Sequence, residues 1–124
     1  MLGLEQLFIN LHRDVRVVIL SGEGDHFCAG LDLKERAPEN QQRTVGAGLD
    51  SQRSISEIVM AMRRCPQPII SLVHGPACGG GFAMALASDI RIAGASARMN
   101  AAFVRIGLSA CDIGVSYFLP RLVG

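Results

Sequence analysis

Two glycine-bearing segments contain residue types that could hold a negatively charged oxygen. The first runs from Phe27 to Lys34 and the second from His74 to Phe82. Each follows an apolar run that predicts a strand and precedes a predicted helix start, where backbone N–H groups have no partner inside the helix. Glycine lets a ligand approach such a backbone closely. Two turns of this kind that face one point would cradle an oxyanion.

Apolar patterns predict the elements that would position these segments. Helical spacing predicts helices over residues 4–13 and 49–64, and apolar runs predict buried strands over 15–20 and 69–73 and a third strand over 90–93. The other expectations are a loop over 24–33, a short helix start at 32–36, a mobile surface loop over 37–48, a tight turn over 74–81, a helix over 82–87 and a short helix or turn over 114–122. This alternation predicts an α/β fold with parallel strands.

Length and composition limit the class of protein. The 124 residues suffice for one domain, and a hydrophobic fraction of 49% predicts a packed core. The net charge of +1 gives no reason to expect nucleic acid or an anionic membrane as partner. The four cysteines lack the paired spacing of a zinc site, so no metal is expected. Since the sequence shows no signal-peptide pattern and no apolar stretch of membrane length, we expect a cytoplasmic protein.

Two longer segments resemble the crotonase (enoyl-CoA hydratase/isomerase) family. Residues 21–34, SGEGDHFCAGLDLK, are similar to its first oxyanion segment, and residues 74–93, HGPACGGGFAMALASDIRIA, to its second. Residues 118–124, FLPRLVG, are similar to a later helix of the family. The resemblance implies an α/β crotonase-like (ClpP/crotonase) fold with an incomplete ββα-type spiral core. Residues 1–124 would then form one partial acyl-CoA-binding domain.

The resemblance also implies that the chain binds an acyl-CoA thioester and stabilises its enolate. By position, the two oxyanion-hole N–H groups belong to Leu31 and Gly80, and a Cβ at position 80 could block the thioester. Removing one such donor costs about 3–4 kcal/mol of transition-state stabilisation. The stretches that contact substrate and CoA carry over to Ala29, Gly30, Leu31, Asp32, Lys34, Gly79 and Gly80. Lys34 could meet a CoA phosphate or be a solvated helix charge. CoA enters as part of the substrate, and no separate cofactor is implied.

Two positions depart from the hydratase pattern. Hydration of a double bond needs one group that activates water and another that delivers a proton, and the hydratases of the family use two glutamates. The corresponding positions here are Ala83, after the triple glycine, and Phe103, four residues before Gly107. Neither side chain can transfer a proton, so the resemblance favours isomerase-like enolate chemistry over hydration.

One carboxylate, that of Asp112, lies near the inferred site. Some isomerases of the family use an aspartate in this loop as a proton shuttle, and aligning it with Asp112 requires one extra residue here. Asp112 is therefore the candidate catalytic residue. The alternative, which the extra residue favours, is a loop aspartate that bonds its own backbone.

The other polar candidates are expected to be structural. His74 is expected to satisfy a backbone hydrogen bond, and Cys78 and Cys111 to be small core residues. Asp89 is expected to form a structural cap or an ion pair with Arg91.

The sequence leaves two functions open. One is an acyl-CoA enzyme of the hydratase/isomerase class in fatty-acid-type metabolism; the other is an inactive truncated or split-gene relic that at most binds CoA or a partner subunit. Family members usually have further strands before the first helix and further helices after the segment that ends at Gly124, and they form homotrimers or hexamers. The resemblance therefore predicts an unpaired sheet edge, exposed apolar faces and low stability for this chain alone.

Overall fold

The structure, a computed structural model, describes residues 2–32 and 44–124. Its elements in chain order are α1 (Leu2–Ile9), β1 (Val18–Ser21), α2 (Val45–Arg64), β2 (Ile69–Val73), β3 (Pro76–Cys78), α3 (Gly80–Ala87), β4 (Ile90–Ala93), β5 (Arg98–Asn100), a 3₁₀ helix (Ala102–Ile106) and α4 (Val115–Val123). Helices alternate with strands over most of this order, as the α/β prediction requires.

The main sheet has the strand order β1-β2-β4, and all of its strands run parallel. Ile70 of β2 lies opposite Ile19 on one side and opposite Ile90 on the other. A second parallel sheet joins β3 to β5. Each of these parallel connections contains a helix or a long crossover, so the predicted α/β fold with parallel strands is confirmed.

The two faces of the main sheet have different surroundings. Ile69 and Val73 point to one face, are at most 1% exposed and pack in the core. Ile19, Ile90 and Ile92 point to the other face and are 50–61% exposed. The described chain therefore presents an apolar sheet surface to solvent.

Helix α2 begins earlier than the sequence predicted. Thr44 is its N-cap, and the Thr44 Oγ1 accepts a hydrogen bond from the Ala47 amide over 3.2 Å. The predicted loop over 37–48 is therefore wrong for 45–48, which are helical, because this cap stabilises a first turn that contains two glycines. Residues 37–43 lie outside the described residues.

Several other elements differ from prediction, among them the buried strand expected over 15–20, which is observed as β1 at 18–21 with Ile19 61% exposed. The predicted helix over 4–13 ends at Ile9, and the predicted turn over 74–81 contains β3. β3, β5 and the 3₁₀ helix were not predicted, because elements of three to five residues are too short to show a hydrophobic period. The helix start expected at 32–36 falls almost wholly outside the described residues.

Two kinds of feature are absent from the described residues. No helix there has both the length and the apolar character needed to cross a membrane. No group of three or more His, Cys, Asp or Glu side chains there could hold a metal ion. The four cysteines are free thiols.

Candidate active site

Backbone hydrogen bonds join the two glycine-bearing segments. The Phe27 amide donates to the His74 carbonyl over 2.9 Å, and the Cys28 amide donates to the Pro76 carbonyl over 3.1 Å. In return, the Cys78 amide donates to the Cys28 carbonyl over 2.9 Å. The first segment thus runs beside β3 in a parallel bridge. This pairing holds the two turns next to each other.

Glycines permit the close approach of the two turns. Gly30 has a φ of 96°, and Gly79 has a φ of 54° with a ψ of −115°, conformations that other residues rarely adopt. A Cβ at Gly30 would lie 3.0 Å from the Cys78 carbonyl oxygen, and a Cβ at Gly81 would overlap the Cys28 carbonyl oxygen. A side chain at either glycine would force the segments apart.

Gly80 is the first residue of α3, so its amide has no acceptor inside the helix. The carbonyl of the N-cap, Gly79, accepts a helical hydrogen bond from the Ala83 amide over 3.1 Å. A Cβ placed on Gly80 would meet nothing closer than Ile113 Cδ1 at 3.8 Å. The space in front of Gly80 is therefore open to a ligand, at the helix end that favours negative charge.

A cavity of about 280 Å³ lies where the two turns meet. Much of its wall is apolar, with Leu4, Ile55, Ile58, Val59, Met84, Ile106, Leu108 and Ile113. Six of the predicted site residues also line it, namely Ala29, Gly30, Leu31, Gly79, Gly80 and Asp112. Asp32 is exposed and is not among the lining residues, and Lys34 lies outside the described residues. The structure thus brings Leu31 and Gly80 to one cavity, and the roles assigned to their amides stay predictions.

The two positions predicted to correspond to the hydratase glutamates are apolar and packed. Phe103, in the 3₁₀ helix, lines the cavity and is 7% exposed. Ala83, in α3, is fully buried in the same core cluster. On the described wall of the cavity, Asp112 is the one carboxylate.

Asp112 is half-buried and bonds to its own loop, as the alternative prediction proposed. Its Oδ2 accepts a hydrogen bond from the Ser109 amide over 3.0 Å. The residue nevertheless lines the cavity, so the loop bond and a position at the site occur together. The local bond uses one carboxylate oxygen, Oδ2.

Sequence reasoning missed two polar residues of the site, Ser109 and Gln52, and Gln52 comes from another element. Its Nε2 donates to the Asp112 carbonyl over 2.9 Å, and Gln52 also lines the cavity. On α2 it lies three residues before Ile55 and seven before Val59, so it belongs to the apolar face of the helix. A polar residue on an otherwise apolar stripe was the signal that could have identified it.

The structural roles expected of polar side chains hold for His74 but not for Cys111. His74 Nε2 lies 2.9 Å from the Gly24 carbonyl oxygen, so the expected backbone hydrogen bond is confirmed. Cys78 is half-buried in β3, whereas Cys111 is exposed, so the prediction of a core residue is wrong for Cys111. Hydrogen bonds with the Ser116 and Ser109 side chains lower the pKa of the Cys111 thiol.

Asp89 joins the end of α3 to α2 and β2. Its carboxylate accepts a hydrogen bond from the Ile69 amide over 2.8 Å and pairs with the Arg63 guanidinium over 3.0 Å. The predicted ion pair with Arg91 is wrong, because the Arg91 guanidinium donates to backbone carbonyls near the end of α3, including that of Ser88. Partial burial raises the pKa of Asp89, but the Ile69 hydrogen bond and the nearby guanidinium groups outweigh it, so the pKa lies below its ordinary value.

Comparison with known proteins finds relatives along the whole chain. A protein of Mycobacterium leprae described as a probable enoyl-CoA hydratase is 43% identical over 119 residues, which are 94% of this chain and 40% of that protein. The 1,2-epoxyphenylacetyl-CoA isomerase of Escherichia coli K12 is 36% identical over 110 residues, which are 89% of this chain and 42% of the isomerase. The chain thus spans less than half the length of these two relatives.

Solved structures agree with the sequence comparison. The crystal structure of a Streptomyces coelicolor A3(2) protein described as an enoyl-CoA hydratase matches with a TM-score of 0.91 and 41% identity, over 99% of this chain and 46% of that one. A hydratase structure from Polaromonas sp. JS666 matches with a TM-score of 0.86 and 29% identity, over 99% of this chain and 48% of that one. These proteins have the crotonase fold, of which this chain carries about half the length.

The family resemblance inferred from the two glycine-bearing segments is confirmed over the full match. Residues 2–124 match the model of the family described as enoyl-CoA hydratase/isomerase. The chain belongs to the enoyl-CoA hydratase/isomerase (crotonase) family.

Proposed function

We propose that the protein acts on acyl-CoA thioesters, with the backbone amides of Leu31 and Gly80 donating hydrogen bonds to the thioester oxygen. The observation that carries the proposal is the shared cavity, which residues 29–31 of the first turn and residues 79–80 of the second line together. Amides at such a site stabilise the negative charge that develops on the oxygen when the thioester forms an enolate. The apolar wall suits the hydrocarbon part of an acyl group.

Isomerisation fits the side chains of the cavity better than hydration does. Neither Ala83 nor Phe103 can activate water or deliver a proton, and Asp112 is the carboxylate on the described wall. In this mechanism Asp112 removes a proton from C2 of a 3-enoyl-CoA. The electron pair moves into the enolate, whose oxygen the two amides hold. Return of the proton at C4 then gives the 2-enoyl-CoA. The Escherichia coli relative is described as a 1,2-epoxyphenylacetyl-CoA isomerase, so isomerisation of a CoA thioester occurs within the family, there on an epoxide rather than on a double bond.

The remaining parts of the proposal concern CoA and the compartment. CoA would be bound as part of the substrate, with Ala29, Gly30 and Gly79 close to the thioester and Lys34, outside the described residues, near a CoA phosphate. No separate cofactor takes part in the proposed chemistry. The free thiols of the four cysteines are compatible with a reducing cytoplasm.

A second candidate function is binding of CoA esters without turnover. It is favoured by the hydrogen bond from the Ser109 amide to the Asp112 carboxylate, which gives this side chain a structural use. Replacement of both hydratase glutamates is consistent with it as well.

Substrate conversion separates the two functions. The chain is incubated with crotonyl-CoA and, separately, with a 3-enoyl-CoA, and products are followed by chromatography; binding of each ester is measured by calorimetry. We expect conversion of the 3-enoyl-CoA that falls about 10²–10⁴-fold in an Asp112→Asn variant, the usual contribution of a positioned acid or base. Asp50→Asn, at an exposed position of α2, is the matched control.

The outcomes are distinct. Conversion that Asp112→Asn leaves unchanged removes Asp112 from the mechanism. Binding of both esters with no conversion of either favours the second candidate function, and the absence of binding contradicts both.

A further inference from the structure

The loop that carries Asp112 is shaped by hydrogen bonds within itself and to the helices on either side of it. We define the Asp112 loop as residues 107–114, between the 3₁₀ helix and α4. The Asp112 amide donates to the Ser109 carbonyl over 3.3 Å, and the Gly114 amide donates to the Cys111 carbonyl over 3.3 Å. These bonds shape the loop but do not set its position relative to the cavity.

One hydrogen bond ties this loop to a distant element of the described chain. It runs from Gln52 Nε2 to the Asp112 carbonyl over 2.9 Å and joins residues that are 60 positions apart in sequence. The buried side chains of Ile113 and Val115 anchor the end of the loop by packing. Packing of that kind is not directional, whereas a hydrogen bond to the carbonyl fixes the orientation of the Asp112 peptide.

The type of side chain at position 52 suits this task. Gln52 is half-buried and is presented by a helix, so few rotamers bring its amide to the carbonyl. Glutamine donates a hydrogen bond without carrying a charge. It can therefore hold the peptide without placing a cation beside the carboxylate, as lysine or arginine would.

We propose that Gln52 is a positioning residue: its side-chain amide holds the Asp112 peptide, and through it the Asp112 carboxylate, at the wall of the cavity. The effect of Gln52 on turnover rests on the proposed function, because it requires that Asp112 transfers the proton. The ordering of the Asp112 loop by Gln52 does not rest on the proposed function, since it holds with or without turnover.

Three variants test the assignment. Gln52→Met keeps the length of the side chain and a similar helix propensity but removes the donor. Gln52→Glu can donate only when the introduced carboxyl group is protonated, below an ordinary pKa of about 4.3. Arg53→Met, at the next and exposed position of α2, is the matched control for the loss of a polar side chain.

Hydrogen exchange measures the loop directly. In Gln52→Met we expect protection of the Asp112 and Gly114 amides to fall about 2- to 10-fold, the equilibrium equivalent of one neutral hydrogen bond. In Gln52→Glu the loss is expected at pH 7 and is restored near pH 4. Since Asp112 and Cys28 are ionisable residues that line the same cavity and Cys111 precedes Asp112 in the chain, each variant is compared with the wild type at the same pH.

Kinetics measure the consequence for the reaction. For Gln52→Met we expect kcat to fall by up to about 10²-fold with little change in KM, as for a reacting group misplaced by about 1 Å. Arg53→Met is expected to behave as the wild type in both measurements.

The result that overturns the inference is unchanged protection of the Asp112 amide in Gln52→Met, or protection in Gln52→Glu that is lost at both pH values. Full kcat in Gln52→Met beside an inactive Asp112→Asn also overturns it and leaves the proposed function in place. If Gln52→Met loses protection and the wild type converts no ester, the positioning role is supported. Only the proposed function is then contradicted.

Discussion

The cavity has two walls that are built in different ways. The backbone wall, residues 29–31 and 79–80, presents main-chain groups whose geometry depends on glycines. The side-chain wall, Gln52, Phe103 and Asp112, presents groups whose chemistry depends on residue type. The residues of the backbone wall belong to the two segments that resemble the family's oxyanion segments. On the side-chain wall, Phe103 is the predicted counterpart of one hydratase glutamate.

This difference shows that the side-chain wall can change the chemistry of the site without a change in the backbone wall. Backbone amides stabilise a thioester oxygen whatever proton transfer follows, because the negative charge develops on the same atom in each case. The side chains decide where a proton goes. A substitution at the side-chain wall can therefore change the proposed reaction or remove it, while the geometry proposed for acyl-CoA binding stays.

The largest effect on stability is expected at the side-chain wall. Phe103→Ala should lower the free energy of unfolding by about 3–5 kcal/mol, because it leaves a void in the core cluster. Val104→Ala, at a position 62% exposed in the same 3₁₀ helix, should change it by no more than about 0.5 kcal/mol. Urea denaturation measures both. An equal loss in the two variants would show that Phe103 has no packing role of its own.

At the backbone wall, Gly80→Ala should reduce turnover without reducing stability. The new methyl group meets no protein atom closer than 3.8 Å but enters the space proposed for the thioester, so kcat/KM should fall about 10²–10³-fold. Replacing a helical glycine with alanine should raise the free energy of unfolding by up to about 1 kcal/mol.

Gly48→Ala is the control for that prediction, since Gly48 is exposed on α2 and an added Cβ would meet nothing within 4 Å. It should show the gain in stability and no change in turnover. Equal turnover in the two glycine variants would contradict the position assigned to the thioester.

The next glycine should give the opposite pattern. In Gly81→Ala the new Cβ overlaps the Cys28 carbonyl oxygen and the Cys28 side chain, so the paired segments must move apart. We expect the free energy of unfolding to fall by about 1–3 kcal/mol, as is typical of overpacking. Thermal melts of Gly80→Ala and Gly81→Ala side by side provide the measurement. A melt of Gly81→Ala that matches the wild type would mean that the two turns are not closely packed.

The smallest effect is expected where α2 joins the end of α3, away from the cavity. Arg63→Met removes the partner of Asp89 and should cost less than about 1 kcal/mol at pH 7, because 47% of the Arg63 side chain and 42% of the Asp89 side chain are exposed. The pKa of Asp89 is lowered in the folded state, so its contribution is present above the ordinary value near 3.8 and is lost as the pH falls through the folded-state pKa.

The difference in unfolding free energy between the wild type and Arg63→Met should therefore shrink below about pH 4, the ordinary range of an aspartate. Denaturation at a series of pH values measures it, with Arg53→Met as the exposed control on the same helix. A difference that stays constant down to pH 2 would show that ionisation of Asp89 does not contribute.

The sequence predicted elements well where a pattern was long enough and failed where one contact decided the outcome. β2 and β4 were predicted at the observed bounds, because each is a short segment rich in apolar residues that ends just before a turn with a glycine, Gly75 or Gly94. The first turn of α2 was predicted to be a loop because it contains Gly46 and Gly48. In the structure, the N-cap Thr44 stabilises this turn as a helix. β3 and β5 depend on pairing with each other, which no local pattern of three residues shows.

The residues of the site also differ in whether a local pattern or a long-range contact identifies them. Glycines at 30, 79 and 80 and the carboxylate at 112 could be identified from residue type and family resemblance. Gln52 could not, because its role depends on a hydrogen bond across 60 residues. The partner of Asp89 was assigned to the nearby Arg91, whereas the fold brings Arg63 to it from another helix.

By itself, the sequence determined the parallel α/β class, the family and the two glycine-bearing turns, because these follow from local periodicity and from motifs that only glycine can satisfy. Tertiary structure alone decided that both turns line one cavity, that Phe103 lies on its wall while Ala83 is buried in the core, and that Gln52 reaches the Asp112 loop. The physical reason is that such contacts join residues far apart in the chain, and only packing of the helices on the sheet sets the distances between them.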